Sequence, residues 1–202
     1  MHMHGLGKSI TYQVPGSMHQ LEGLKTRGLR GMVLVVSPLL SLIQNQWQEC
    51  QRYGVAAHIL TGNTVHLGML AKARDAIVDG TCQIVFATPE QATKDTNLQV
   101  FDELYSRGLF TLAAIDEAHC ASEWGRSFRP DYLHLGLIRE RFPKVPILAV
   151  TATACSRVRD ELCKSFGLHD PLVLTQSVDR PNLRCTLLAL DGLVISVIAC
   201  VI

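Results

Sequence analysis

The chain has 202 residues, 48% of them apolar, with 19 basic and 18 acidic side chains for a formal net charge of +1, and seven cysteines. The length suits one domain with a substantial core, the composition is globular rather than disordered, and the near-zero charge removes any bulk electrostatic case for nucleic acid, so such a case must be local. No run reaches the ~18 apolar residues of a membrane span, no signal-peptide pattern opens the chain, and an odd, scattered set of cysteines without C-x-x-C points to an intracellular, reducing compartment rather than a disulfide framework or zinc site.

In chain order, residues 31–38 (GMVLVVSP) form a short β-rich apolar run ending at a Ser-Pro turn. Residues 39–54 have helical spacing and stop at Gly54. Residues 56–62 read as a weaker strand, and 66–80 as an amphipathic helix closed by Gly80. Strand, helix and strand follow over 82–90, 100–108 and 109–119. A helix over 133–142, a strand over 145–154 and a helix over 155–167 complete the alternation. Continuous apolar runs alternating with amphipathic helices predict an α/β fold: a parallel sheet with helices on both faces. In such sheets ligands bind beyond the carboxyl ends of the strands. The polar clusters fall there: Ser37-Pro38, Thr88-Pro89-Glu90, Asp116-Glu117 and Thr151-Ala152-Thr153.

Two motifs carry chemistry. Gly5-Leu6-Gly7-Lys8-Ser9 has the end of a phosphate loop, with glycines for close backbone approach, Lys8 for the β/γ-phosphates and Ser9 for Mg²⁺. The full pattern would place Gly at position 2, where His2 stands. Asp116-Glu117 ends an apolar strand, where one carboxylate can hold Mg²⁺ and its neighbour can orient water and accept its proton. Directly after it, residues 116–132 (DEAHCASEWGRSFRPDY) join those carboxylates to a loop of Trp124, Arg126, Phe128, Arg129 and Tyr132. Aromatic faces grip single-stranded bases without reading sequence, and arginines meet phosphate or stack. Such a junction lets strand occupancy influence the hydrolytic residues, with His119 as relay or as a satisfied buried histidine. Cys120 reads as packing, and Gln44, Asn45 and Gln46 as a solvated helix face. Ser37 and Thr88 are placed to cap the helices that follow them.

The order of GLGKS, VVSPLLSLIQNQ, ATPEQ, DEAHCASEWGRSFRPDY, AVTATA and SVDRPNL, spanning about Gly5 to Leu183, resembles the RecQ-type superfamily 2 DNA helicases. The resemblance implies a RecA-like P-loop NTPase domain and a 3′→5′ DNA helicase driven by ATP with Mg²⁺. It implies action on single-stranded and forked DNA in repair and recombination, in a nucleus or a bacterial cytoplasm and nucleoid. Matched motif to motif, Gly5, Leu6, Gly7, Lys8 and Ser9 bind the nucleotide. Ser9 and Asp116 hold the metal, and Glu117 activates water. Ser37, Thr88, Trp124, Arg126, Phe128 and Arg129 meet DNA, and Thr151 and Thr153 couple hydrolysis to movement.

The same resemblance implies departures. The family has two RecA-like domains with ATP between them, and this chain holds roughly one, over residues 1–182. Residues 183–202 read as the threshold of a missing second domain followed by an unrelated apolar tail. The domain is expected to be incomplete, lacking the strand that feeds the phosphate loop. In the alternative reading, the product is a truncated, inactive fragment that binds nucleotide or DNA weakly and does not unwind duplexes. The missing strand is expected beside the strand carrying Asp116, leaving an open edge that residues 193–202 are candidates to fill.

Overall fold

The computed structural model describes residues 9–18, 31–60, 67–124, 128–153, 155–175, 183–190 and 193–200. The chain divides into two units, Met1–His169 and Asp170–Ile202. In the first, strands β1 (Met32–Val36), β2 (Ala57–Leu60), β3 (Ile84–Ala87), β4 (Phe110–Ile115) and β5 (Ile147–Ala149) form one sheet in the order β2-β3-β1-β4-β5. Every pairing in it is parallel. The helices are α1 (Ile10–Met18), α2 (Leu40–Arg52), α3 (Leu67–Val78), α4 (Pro89–Ala92), α5 (Asp95–Ser106), α6 (Gly136–Arg141) and α7 (Ser156–Ser165).

The central strand shows why both faces need cover. Met32, Leu34 and Val36 of β1 enter one core with Val85, Phe101, Ile138 and Leu162. Val33 and Val35 enter the opposite core with Phe86, Ile43 and Tyr12. Side chains alternate across a strand, so a strand buried on both sides reads as one unbroken apolar run. The α/β sheet predicted from the sequence is therefore the sheet observed.

Several local expectations needed correction. Helix α1 escaped the sequence reading because Pro15 and Gly16 interrupt its pattern. Gly16 is required by contact: a Cβ there would stand 2.6 Å from Ile84 Cγ1, and Gln83 Nε2 donates to Gly16 O at 3.2 Å. Helix α5 starts at Asp95 rather than Val100 because its first turn is anchored by polar groups. There Arg74 donates to Asn97 Oδ1, and buried Asn97 donates to Gln91 O at 2.8 Å. The expected helix over 133–142 is a 3₁₀ segment, Pro130–Leu135, followed by α6. The strand expected to run to residue 119 leaves the sheet after Ile115, because Glu117 adopts a left-handed turn with φ 48° and a 3₁₀ segment, Ala118–Ala121, follows.

One topological expectation also fails. No place beside β4 is open, because β1 pairs with one of its edges and β5 with the other. Among the described residues the strands with a single neighbour are β2 and β5, at the two ends of the sheet. In the second unit, β6 (Leu183–Leu190) and β7 (Leu193–Cys200) form their own antiparallel sheet, from Leu183↔Cys200 to Leu190↔Leu193. The apolar run from Leu193 thus pairs with the segment before it.

Candidate functional site

Three carboxyl strand ends meet at the site. Asp116 N–H donates to Val36 O at 2.8 Å, and Ser37 N–H donates to Ala87 O at 3.0 Å. These bonds extend the ladders of β4, β1 and β3 by one residue and place Asp116, Ser37 and Thr88 along one edge.

Asp116 is 7% exposed and its carboxylate is held from several directions. Gln46 Nε2 donates to Oδ2 at 3.1 Å, and the Tyr12 hydroxyl donates to the same oxygen at 3.3 Å. The Glu117 backbone N–H donates to Oδ1 at 3.0 Å. Tyr12 is fully buried, which raises the pKa of its phenol, and the charge of Asp116 raises it further. The Ser9 side chain also hydrogen-bonds that phenol and works in the opposite direction. Tyr12 therefore bridges Ser9 and Asp116, the two residues expected at the metal. Gly5, Leu6, Gly7 and Lys8 lie outside the described residues.

Tyr12 carries no signal in the sequence that marks it for the site, and the solvated face expected for Gln46 is not what the structure shows. Gln46 is 4% exposed, whereas Gln44 and Asn45 are exposed. The missed signal is its spacing: Ile43, Gln46 and Cys50 share the buried stripe of α2.

A second chain of contacts runs outward. His119 Nδ1 lies 3.3 Å from Glu117 Oε2 and 3.0 Å from Thr151 Oγ1. Thr153 N–H donates to Thr151 Oγ1 at 3.1 Å. His119 thus joins Glu117 to Thr151 and Thr153, bringing together four of the residues predicted for hydrolysis and coupling. The left-handed backbone at Glu117 costs about 1–3 kcal/mol for a residue with a Cβ. It is held by Ala118 N–H donating to Val150 O at 2.9 Å and by the Tyr132 hydroxyl donating to Asp116 O at 2.9 Å. Burial raises the Tyr132 pKa first; nearby Cys120, Asp116 and Glu117 add to that, and the Arg129 charge opposes it.

The aromatic loop grows directly from this turn. Trp124 is 59% exposed, Phe128 is exposed, and the Arg157 guanidinium of α7 sits 3.5 Å over the Trp124 ring centroid. Ser122 Oγ donates to Glu161 Oε2 of the same helix at 2.5 Å and accepts from Trp124 N–H at 3.2 Å. Arg129 N–H donates to Cys120 O, and its guanidinium donates to Pro38 O, both at 2.8 Å. Arg126 lies outside the described residues. Cys120 is buried as packing, and burial raises its thiol pKa. Ser37 is fully buried and its hydroxyl has no protein partner among the described residues. The expected caps divide: Leu39 rather than Ser37 holds the cap position of α2, and Thr88 holds that of α4 but without a side-chain bond.

Among the described residues no three His, Cys, Asp or Glu groups cluster as a metal-only cage. One buried carboxylate linked through Tyr12 to a serine hydroxyl suits Mg²⁺, which takes one or two carboxylates, phosphate oxygens and retained water.

The model of the family described as DEAD/DEAH box helicase matches residues 3–162, and the chain belongs to that family. Within it, the curated relatives are RecQ-type enzymes. The chain is 36% identical over 181 residues to ATP-dependent DNA helicase Q-like 4B of Arabidopsis thaliana, covering 89% of this chain and 15% of that protein. It is 35% identical over 186 residues to RecQ-like DNA helicase BLM of Xenopus laevis, covering 89% and 13%. It is 34% identical over 183 residues to ATP-dependent DNA helicase RecQ of Pasteurella multocida, covering 91% and 27%. The chain therefore spans less than a third of the length of these relatives. The Pyrococcus furiosus Hef helicase domain is a structural neighbour with a TM-score of 0.49 and 18% identity, covering 81% of this chain and 32% of that one.

Proposed function

We propose that this chain is the ATP-binding RecA-like unit of a RecQ-type 3′→5′ DNA helicase, acting on single-stranded and forked DNA in repair and recombination, in a nucleus or a bacterial nucleoid. The observation that carries the proposal is the convergence of Tyr12 and Gln46 on buried Asp116, with Ser9 against Tyr12, one residue from a Glu117–His119–Thr151 chain. In this reading Gly5–Lys8 cradle the phosphates of ATP, and Ser9 and Asp116 hold Mg²⁺. Bound there, Mg²⁺ would neutralise charge on the phosphate oxygens.

The residues have separable tasks. Tyr12 and Gln46 fix the Asp116 carboxylate, so it presents its remaining lone pairs without rearranging. Glu117, set apart from Asp116 by its left-handed turn, orients the attacking water and takes its proton. His119 holds the Glu117 carboxylate against Thr151, so a shift of the Thr151–Thr153 segment displaces the proton acceptor. Trp124, Phe128 and Arg129 supply the stacking and phosphate contacts for a single strand, and Ser37, Thr88 and Arg126 complete that path. A second RecA-like domain supplies the opposite wall of the ATP cleft.

Calorimetric titration of Mg-ATP into wild-type, Lys8→Ala and Asp116→Ala proteins tests the proposal. Both variants are expected to weaken binding at least tenfold. Binding indifferent to both would place the nucleotide elsewhere.

A further inference from the structure

Gln46 has two polar ends, and the structure accounts for one of them. Its Nε2 donates to Asp116 Oδ2 at 3.1 Å. An ionised carboxylate only accepts, so this contact fixes which end of the amide faces Asp116 and turns Oε1 away from it. Among the described residues Oε1 is buried and without a hydrogen-bond partner, on a residue that is only 4% exposed. The Tyr12 hydroxyl is already committed to Asp116 Oδ2 and so does not serve it. A buried acceptor beside a carboxylate needs a donor, and the described residues offer none.

We propose that Gln46 is a positioning residue of the nucleotide site, with its N–H₂ holding Asp116 and its Oε1 accepting from a water carried by the divalent cation. The inference rests on the reading that Ser9 and Asp116 hold that cation. Mg²⁺ sheds its water reluctantly and is bound through few protein groups. Its retained waters are strong donors, and a carboxamide next to the liganding carboxylate is placed to take one. The amide thereby measures both the carboxylate and the hydration shell, and it discriminates a metal-loaded nucleotide from a bare one.

The test separates metal from nucleotide. Mn²⁺ binding to the ADP-bound 202-residue protein is read by the electron paramagnetic resonance of free Mn²⁺, and ADP binding in EDTA by calorimetry. Gln46→Met, which keeps length and removes both polar ends, is expected to weaken Mn²⁺ about 10- to 100-fold, in the range for residues that orient metal ligands. ADP affinity in EDTA should change less than about twofold. Unchanged Mn²⁺ affinity, or an equal loss of ADP affinity in EDTA, overturns the inference. A measurement on wild-type protein guards against a variant that fails to fold. There the assigned Gln46 side-chain amide resonances should shift when Mg²⁺ joins ADP, and should stay fixed with ADP alone; no Mg²⁺-dependent shift overturns it as well. Asp116→Ala distinguishes the two levels. If Mn²⁺ affinity ignores Asp116, the reading of the nucleotide site falls and this inference with it. If it depends on Asp116 but ignores Gln46, the inference alone falls.

Discussion

Tyr132→Phe isolates a single bond at the junction of hydrolytic strand and aromatic loop. The Tyr132 ring is fully buried in the core and its hydroxyl donates to Asp116 O at 2.9 Å. Phenylalanine keeps the ring and its packing, so no cavity opens; only the donor is lost. The Asp116 carbonyl lies at the turn forced by left-handed Glu117, where backbone geometry is least forgiving. Leaving a buried acceptor short of its donor costs about 1–3 kcal/mol. For a unit of this size each kcal/mol lowers Tm by roughly 2–4 °C, so the expected drop is about 2–12 °C. Thermal unfolding followed by circular dichroism reads it directly. The mechanism predicts an unfolding curve of unchanged shape, with Tyr132→Leu lower still because ring packing is lost too. A Tyr132→Phe protein melting within about 1 °C of wild type would refute the claim that this bond holds the turn.

Other outcomes follow from the same geometry. Trp124→Ala should weaken single-stranded DNA binding by about 1–3 kcal/mol, roughly 5- to 150-fold in Kd by fluorescence anisotropy, while Mg-ATP binding stays within about twofold. Arg157→Ala should uncover one face of Trp124 and raise acrylamide quenching of its fluorescence; unchanged quenching would mean that the guanidinium does not rest there. Gly16→Ala should cost about 1–3 kcal/mol by overpacking against fully buried Ile84, and an Ile84→Ala background should recover part of the loss, as a double-mutant cycle on Tm will show. His58, half-buried on β2, has its pKa lowered by burial. The unfolded chain therefore binds its proton more readily, so this stability is complete above the unfolded pKa of about 6.5 and is lost as pH falls toward the folded value. His58→Gln should flatten that slope in urea melts between about pH 7 and 5.

The parallel sheet was legible because each strand is an unbroken apolar run and each helix carries its own period. Val33 and Val35 face one core and Leu34 and Val36 the other, which only a doubly covered strand demands. Asp116, Glu117, His119, Thr151 and Thr153 were legible because strand ends gather polar groups in this architecture. Tyr12 and Gln46 were not, because each sits at a buried position of a helix and bonds to Asp116, far away in sequence. Tyr12 lies 104 residues from Asp116, and Gln46 lies 70. Periodicity reports which face a residue occupies and says nothing of what waits across the core. The sheet order was misjudged for a related reason: a single apolar run does not say which neighbours it will have. The 3₁₀ segments at 118–121 and 130–135 overlap the ends of the strand expected to 119 and the helix expected from 133, because their bends are set by tertiary bonds, to Val150 O and Asp116 O, rather than by local sequence.

The aromatic loop leaves and re-enters the fold through fixed anchors. Arg129 N–H is bonded to Cys120 O, its guanidinium to Pro38 O, and Tyr132 to Asp116 O. The entropy of closing the loop is thus met at its base rather than along its length, and lengthening such a closed segment adds only about 0.6 kcal/mol per doubling. A change of length between Trp124 and Phe128 is therefore expected to leave these anchors in place, and with them the strand that bears Asp116.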